Sequence, residues 1–268
     1  MYKNVIISGV SSGIGKSVAE LLIKKYDCTV YGIARDENKI KEFKNSLGEK
    51  SVNLADYFLF DVSSEESWQN FVRDFTEKGY LADAIINCAG ILPKFASTEK
   101  TSVKTYEKVM SVNFFGCVYS AKYVLPILEK HEKRAILNVS SSSALCTFSG
   151  ISAYGASKAA LKSFTMSLAD EQRGKTKVSC VCPGFVATDV MRNQSASEKD
   201  LKIINKFSSS PEFVAKKIIK TLKRGKKFKV IGYDAKLMNF FYKIAPVTTA
   251  RAISGILRRS KMDIFKDI

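Results

Sequence analysis

The sequence is short of metal ligands, of cysteine pairs and of negative charge, and each shortage removes a class of function. Its one histidine is His131, and its six cysteines, at 28, 88, 117, 146, 180 and 182, form no Cys-x-x-Cys pair. No metal site is expected from that spacing. Cysteines inside apolar runs read as reduced core residues of a cytoplasmic protein, not as a disulfide framework. No apolar run reaches the roughly 18 residues that a spanning helix needs. The strand-like Val5-Ile6-Ile7 begins almost at once, so no secretory leader is expected. Acidic residues number 26 against 43 Lys and Arg, a formal charge of +17. From Lys199 onward there are 18 basic and 5 acidic residues, so +13 of the excess lies in the last quarter. Such asymmetry suits an acidic partner, either an anionic membrane surface or an acidic carrier protein; a merely solvated basic surface is the plainer alternative. No base-reading motif or basic-aromatic groove is evident, and no nucleic acid is expected.

What is present, at 268 residues and 46% hydrophobic, suits one large α/β domain. Its centre is the stretch from Asn138 to Lys158. The apolar run Ala135 to Val139 reads as a buried strand ending in the serines 140 to 143. A loop follows, then a helix over about Ala156 to Leu168 with Tyr154 and Lys158 at its start. Residues four apart share a helix face, so the phenol and the ammonium can converge. A phenol titrates at about 10, and an adjacent cation stabilises the phenolate and brings that value towards the working range. A serine hydroxyl from the strand end can hold a substrate oxygen against the same tyrosine. A Tyr-x-x-x-Lys pair alone is a common coincidence; its company decides the matter.

That company begins with Asn4 to Ser8, an apolar strand followed by Gly9-Val10-Ser11-Ser12-Gly13-Ile14-Gly15 and a helical pattern from Ile14 to Tyr26. Glycines between a strand and a helix N-terminus allow close backbone approach, and the free N–H groups attract a pyrophosphate. A second strand, Cys28 to Ala34, ends in Ala34-Arg35-Asp36. No acid stands at its tip, and the Arg35 guanidinium suits a 2′-phosphate, so NADP(H) is expected over NAD(H). Asp36 reads as the cap of a helix over Asp36 to Leu47. Tyr57 to Val62 reads as a third strand with Asp61 facing an adenine amino group, and Ser63 or Ser64 as the next cap. Ala84 to Gly90, with Asn87, Ala89 and Gly90, reads as a fourth. Strands alternating with helices predict a Rossmann-like, doubly wound parallel sheet of about seven strands with helices on both faces. One long helix is expected from Ser102 to Lys130, with Tyr106, Val109, Val112, Val118, Ala121 and Leu125 on its buried stripe. Asn113 in its middle reads alone as exposed or locally satisfied.

These residues together resemble the short-chain dehydrogenases/reductases from residue 4 to about residue 190. The motifs fall in that family's order: glycines 9, 13 and 15, Asp61-Val62, Asn87-Cys88-Ala89-Gly90, Asn113, Ser141, Tyr154, Lys158 and Pro183-Gly184. The Ser141 to Tyr154 separation is the family's usual one, which selects Ser141 among the serines. The resemblance implies that Tyr154 passes a proton to a carbonyl as hydride arrives from nicotinamide. It implies that Lys158 binds the ribose, that Ser141 holds the reacting oxygen, and that Asn113 holds a water linking Lys158 to solvent. Pro183-Gly184, Val186 and Thr188 would flank the nicotinamide. A homodimer or homotetramer through the Asn113 and Tyr154 helices is implied too. Ser8 stands where Thr is usual and Cys88 where a second Asn is usual; neither removes a chemical group.

Beyond Lys177 to Cys182, a further strand, the resemblance implies that residues 185 to 210 close over substrate; Val186, Val190, Met191 and Ile203-Ile204 form an apolar wall there or equally pack on the sheet. A helix from Ser210 to about Arg224 and a strand from Phe228 to Ile231 complete the domain at residue 232. Residues 233 to 268 form a basic amphipathic helical extension that packs over the cleft or a neighbouring subunit, or else lies peripherally on a membrane. The expected activity is NADPH-dependent reduction of a small-molecule ketone or aldehyde, hydrophobic or a 3-oxoacyl group. A non-catalytic NADP sensor or scaffold is the rival, but it predicts damaged catalytic positions and none are damaged.

Overall fold

In the computed structural model, residues 2–128, 132–188, 197–260 and 262–268 are described. The strands β1 (Asn4–Ser8), β2 (Thr29–Ala34), β3 (Leu54–Leu59), β4 (Ala84–Asn87), β5 (Ala135–Val139), β6 (Lys177–Pro183) and β7 (Phe228–Ile231) form one sheet. Their order is β3-β2-β1-β4-β5-β6-β7, every pairing parallel. The helices are α1 (Gly13–Tyr26), α2 (Glu37–Ser46), α3 (Glu65–Glu77), α4 (Val103–Met110), α5 (Gly116–Leu128), α6 (Ser152–Glu171), α7 (Glu198–Phe207), α8 (Pro211–Arg224), α9 (Tyr233–Ile244) and α10 (Pro246–Arg259).

The two-residue period of the strands sorts these helices into layers. Val5 and Ile7 of β1 face a core shared with α1, α2 and α8, whereas Ile6 faces a second core with α3, α5 and α6. Trp68 anchors the second core, fully buried, and its Nε1 donates to Val62 O at 2.9 Å. Full burial of one such side chain contributes about 1.5–3 kcal/mol, and both faces of the central strands carry them.

Helix starts follow local chemistry. Asp36, Ser64 and Ser210 each accept a backbone N–H at 3.1–3.2 Å and cap α2, α3 and α8. The start of α1 differs: Ser12 makes no side-chain cap bond, and the first turn carries no acid. Its N–H groups are left for an anion.

Three sequence expectations are corrected here. The third strand ends at Leu59, not Val62; Phe60 N still reaches Ala34 O, but Asp61 turns back to accept from Ser63 N and Oγ. The fourth ends at Asn87, and residues 88 to 90 leave the ladder. The single helix from Ser102 to Lys130 is broken by a π-turn over Ser111–Phe115; its expected end, Lys130, lies outside the described residues. The extra residue in that turn rotates the downstream face. Cys117, Ala121, Val124 and Leu128 are buried, while the expected Val118 and Leu125 are only half-buried.

Candidate active site

The strand order reverses between β1 and β4, and a crevice opens there beyond the carboxyl ends of the strands, as in open α/β sheets generally. Gly9 makes the first turn at φ +73°, and a β-carbon there would lie 2.9 Å from Ala89 N and Cα. The crevice encloses about 390 Å³. Gly9, Ser11, Ser12, Gly13, Ile14 and Gly15 line one end with Arg35, Asp61 and Val62; Ala89 and Gly90 line the middle. Ser141, Tyr154 and Lys158 line the other end with Pro183, Gly184 and Val186, while Thr188 reaches back to the glycine turn, its Cγ2 3.4 Å from where a β-carbon on Gly13 would lie. Of the predicted site residues, Asn87 and Asn113 do not line it; they lie buried behind it.

Tyr154 and Lys158 sit one turn apart near the start of α6, with Lys158 Nζ 5.8 Å from the Tyr154 ring centre. The ammonium donates to Val139 O at 3.0 Å and lies close against Gly90, where an added β-carbon would stand 3.3 Å from it. A side chain at position 90 would crowd the ammonium. The same imagined carbon would lie 3.1 Å from Asn113 Oδ1, so Asn113 and Lys158 meet beside Gly90.

Asn113 is neither exposed nor satisfied within its own helix. It is fully buried, and its amide accepts from Ile91 N at 2.8 Å and donates to Ile91 O and Ser157 Oγ at 2.9 and 3.1 Å. A side chain that must reach a distant loop favours the π-turn around it, a distortion common at functional positions. Ser157 Oγ donates to Tyr154 O, closing the link to the α6 start.

The serine cluster divides by hydrogen bonding. Ser140 Oγ is spent on Lys158 O at 2.8 Å. Ser141 Oγ accepts from Ser143 N at 3.2 Å, which leaves its proton to donate into the cavity. Ser143 Oγ is buried, borders the cavity and has no hydrogen-bond partner among the described residues.

At the opposite end, Arg35 Nη1 lies 3.5 Å from Asp61 Oδ2. Burial by itself would raise the Asp61 pKa. The bonds from Ser63 N and Oγ and the Arg35 charge outweigh it and hold the carboxyl below its ordinary value. Lys39 also lines this end, a second cation that the sequence reading passed over although it stands on the first turn of the expected helix. Cys88 is a neutral packing group, its thiol pushed up to about 12 by burial.

Other contributors were missed as well. Asn87 Nδ2 donates to Asn138 Oδ1 at 2.8 Å, Asn138 Nδ2 to Thr165 Oγ1 at 3.0 Å, and Ser120 Oγ to Asn87 Oδ1 at 3.0 Å. Ser8 Oγ accepts from Ala89 N at 3.3 Å. This buried polar chain ties β1, β4, β5, α5 and α6 together behind the crevice. Its signal was Asn within strands otherwise apolar. In the last quarter, Asp234 Oδ2 accepts from Phe185 N at 2.8 Å and so fixes the segment after β6.

The expected apolar wall is only partly found. Val186 lines the cavity, and Val190 and Met191 lie outside the described residues. Ile203 is solvent-exposed, and Ile204 packs behind the wall, in a cluster with Phe95, Ile151, Met262, Ile264 and Phe265. Leu92, Phe95 and Phe148 form the lining instead. Helical spacing could not say which side of α7 faces inward.

A parallel sheet with an uncapped helix N-terminus at its switch point, and a tyrosine and a lysine one helical turn apart in the same crevice, is an arrangement suited to a dinucleotide-binding oxidoreductase. A family profile for short chain dehydrogenase matches residues 3–199. Benzil reductase ((S)-benzoin forming) of Saccharomyces cerevisiae is 32% identical over 203 residues, covering 72% of this chain and 75% of the yeast protein. The 3-ketodihydrosphingosine reductase of Bos taurus is 28% identical over 279 residues, covering 99% of this chain and 81% of the bovine protein. Among solved structures, ElxO with NADP bound matches at a TM-score of 0.76 and 28% identity, over 88% of this chain and 98% of its own. The chain belongs to the short-chain dehydrogenase/reductase family.

Proposed function

We propose that this enzyme reduces a ketone or aldehyde on a hydrophobic molecule to an alcohol, using NADPH. The observation that carries the reading is the convergence of Tyr154, Lys158 and a Ser141 hydroxyl free to donate on one cavity whose far end holds Arg35. The cradle fits the cofactor: Gly9 lets the chain pass against Ala89, the open N–H groups of α1 suit a pyrophosphate, and Arg35 with Lys39 suits a 2′-phosphate. Bound NADPH would supply the hydride to the carbonyl carbon.

The chain's own residues do the rest. Ser141 donates to the carbonyl oxygen and holds it beside Tyr154. Tyr154 gives its proton to that oxygen, so the products are the alcohol and NADP⁺. The Lys158 ammonium, fixed by Val139 O, stabilises negative charge developing on the phenolic oxygen and would hold the ribose of a bound nicotinamide cofactor. Asn113 is a positioning residue, because its side chain is fully engaged by Ile91 and Ser157. Leu92, Phe95 and Phe148 give the cavity an apolar wall, in keeping with relatives named for benzil and 3-ketodihydrosphingosine, both ketones. Exposed Val103, Phe115 and Met166 on α4, the π-turn and α6 support pairing with a second copy.

Loss of NADPH absorbance with a panel of hydrophobic ketones, these two included, tests the reading. Tyr154→Phe should lower kcat by about 10²- to 10⁴-fold with NADPH affinity unchanged. Unaltered turnover would remove Tyr154 from the chemistry.

A further inference from the structure

Helices α9 and α10 meet at the Ala245–Pro246 turn, with Ala245 N bonded to Phe241 O and Thr249 N to Ala245 O. Few points hold them to the domain. Ala235 is buried, Asp234 holds Phe185, Ser149 N donates to Ser254 Oγ at 3.0 Å, and Leu257 packs on the cluster around Phe95. Met238, Tyr242 and Ile253 are half-buried, but a row of apolar side chains faces outward: Phe240 is 58% exposed, Ile244 68% and Ile256 67%, with Leu237, Phe241 and Val247 also exposed. None of the α10 residues is buried. Single exposed apolar residues need no account, but a row of them along two adjoining helices does.

The neighbouring surface is cationic. Lys229 on the edge strand β7 has an ammonium held below its ordinary value, first by desolvation and then by Lys236, Lys226, Lys217 and Lys220. None of these five forms an ion pair among the described residues. Lys236 stands one turn from Phe240, so the cationic and apolar areas are continuous. A second copy across a two-fold axis would set this cluster against itself, a like-charge contact that edge lysines oppose. Anionic headgroups would neutralise the lysines, and the acyl boundary would take the aromatic and aliphatic side chains.

We propose that the α9–α10 pair and the lysines along β7 form a docking surface for an anionic phospholipid bilayer. The Ser149–Ser254 bond places this pair on the loop that borders the cavity, so docking would bring the substrate end to the lipid surface. Delivery of a membrane-dissolved carbonyl rests on the reductase reading above; the docking itself does not.

Vesicle flotation of the full chain tests it without any substrate. The protein should float with phosphatidylcholine vesicles containing about 30 mol% phosphatidylserine, not with phosphatidylcholine alone, and should come off as salt rises well above 0.15 M or so. The double variants Phe240→Glu with Phe241→Glu, and Lys220→Glu with Lys229→Glu, should each cut the bound fraction about tenfold or more. They sit on separate elements and away from the cavity, so unchanged NADPH binding certifies their fold. Flotation of neither vesicle, or equal flotation of wild type and both variants, would overturn the proposal. So would a dimer abolished by these variants, or capture of an acidic protein in place of vesicles.

Discussion

At the nucleotide end of the crevice, main-chain atoms do most of the shaping. Gly9 brings two backbones together, the open start of α1 offers N–H groups, and Arg35, Asp36, Lys39 and Asp61 add charge. At the substrate end, side chains from distant segments do it: Leu92 and Phe95 after β4, Phe148 before α6, backed by Met262 and Phe265 from the far C-terminal stretch. The first end is therefore specified within short spans of sequence, and the second by tertiary packing. A surface built by backbone tolerates no added atoms. One built by loosely related side chains tolerates exchange and changes what it accepts.

The comparison can be broken, most forcefully at Gly9. Gly9→Ala should cost about 3 kcal/mol, roughly 6–12 °C in Tm, and abolish measurable NADPH binding, because φ is +73° and the methyl would meet Ala89. An alanine variant that binds NADPH normally, by fluorescence titration, would defeat the backbone account of that end. Arg35→Ala should weaken NADPH by about ten- to a hundredfold while leaving NADH nearly unchanged; equal losses would assign the cofactor differently. Phe148→Ala should raise KM for a hydrophobic ketone by roughly five- to tenfold, with NADPH affinity intact. A joint loss of both would erase the division between the two ends.

The smallest effect concerns pH. Asp61 is held below its ordinary pKa, so its charge stabilises the fold above the unfolded value of about 4, and that contribution fades as pH falls through the lowered value. Its side chain is 43% exposed, which keeps the effect small. The Tm gap between wild type and Asp61→Asn should be present near neutrality and close in acid; a constant gap would count against a carboxyl held low by Ser63 and Arg35.

The same contrast explains what could be read from residues alone. The glycine turn, the Asp36, Ser64 and Ser210 caps, the strand alternation and the Tyr154–Lys158 spacing are local, and local chemistry settles them. Asn138, Ser120 and Thr165 were passed over because their partners lie 51, 33 and 27 residues away. Ile204 was misplaced because helical periodicity gives a face without saying what it meets. Asp234 escaped notice because a carboxylate at a helix start also satisfies the helix dipole, and nothing local revealed its bond to Phe185.

The π-turn at Ser111–Phe115 makes the segment between α4 and α5 a counted length. Deleting any one of its five residues would let the chain rewind as uninterrupted α-helix, because four α residues at about 100° each turn through nearly the same angle as five in the wider turn. Asn113 would leave Ile91, while Cys117 and Ala121 would keep their places against the sheet. A missing residue there would spare the core and strike the crevice, so in this segment the number of residues answers to the site.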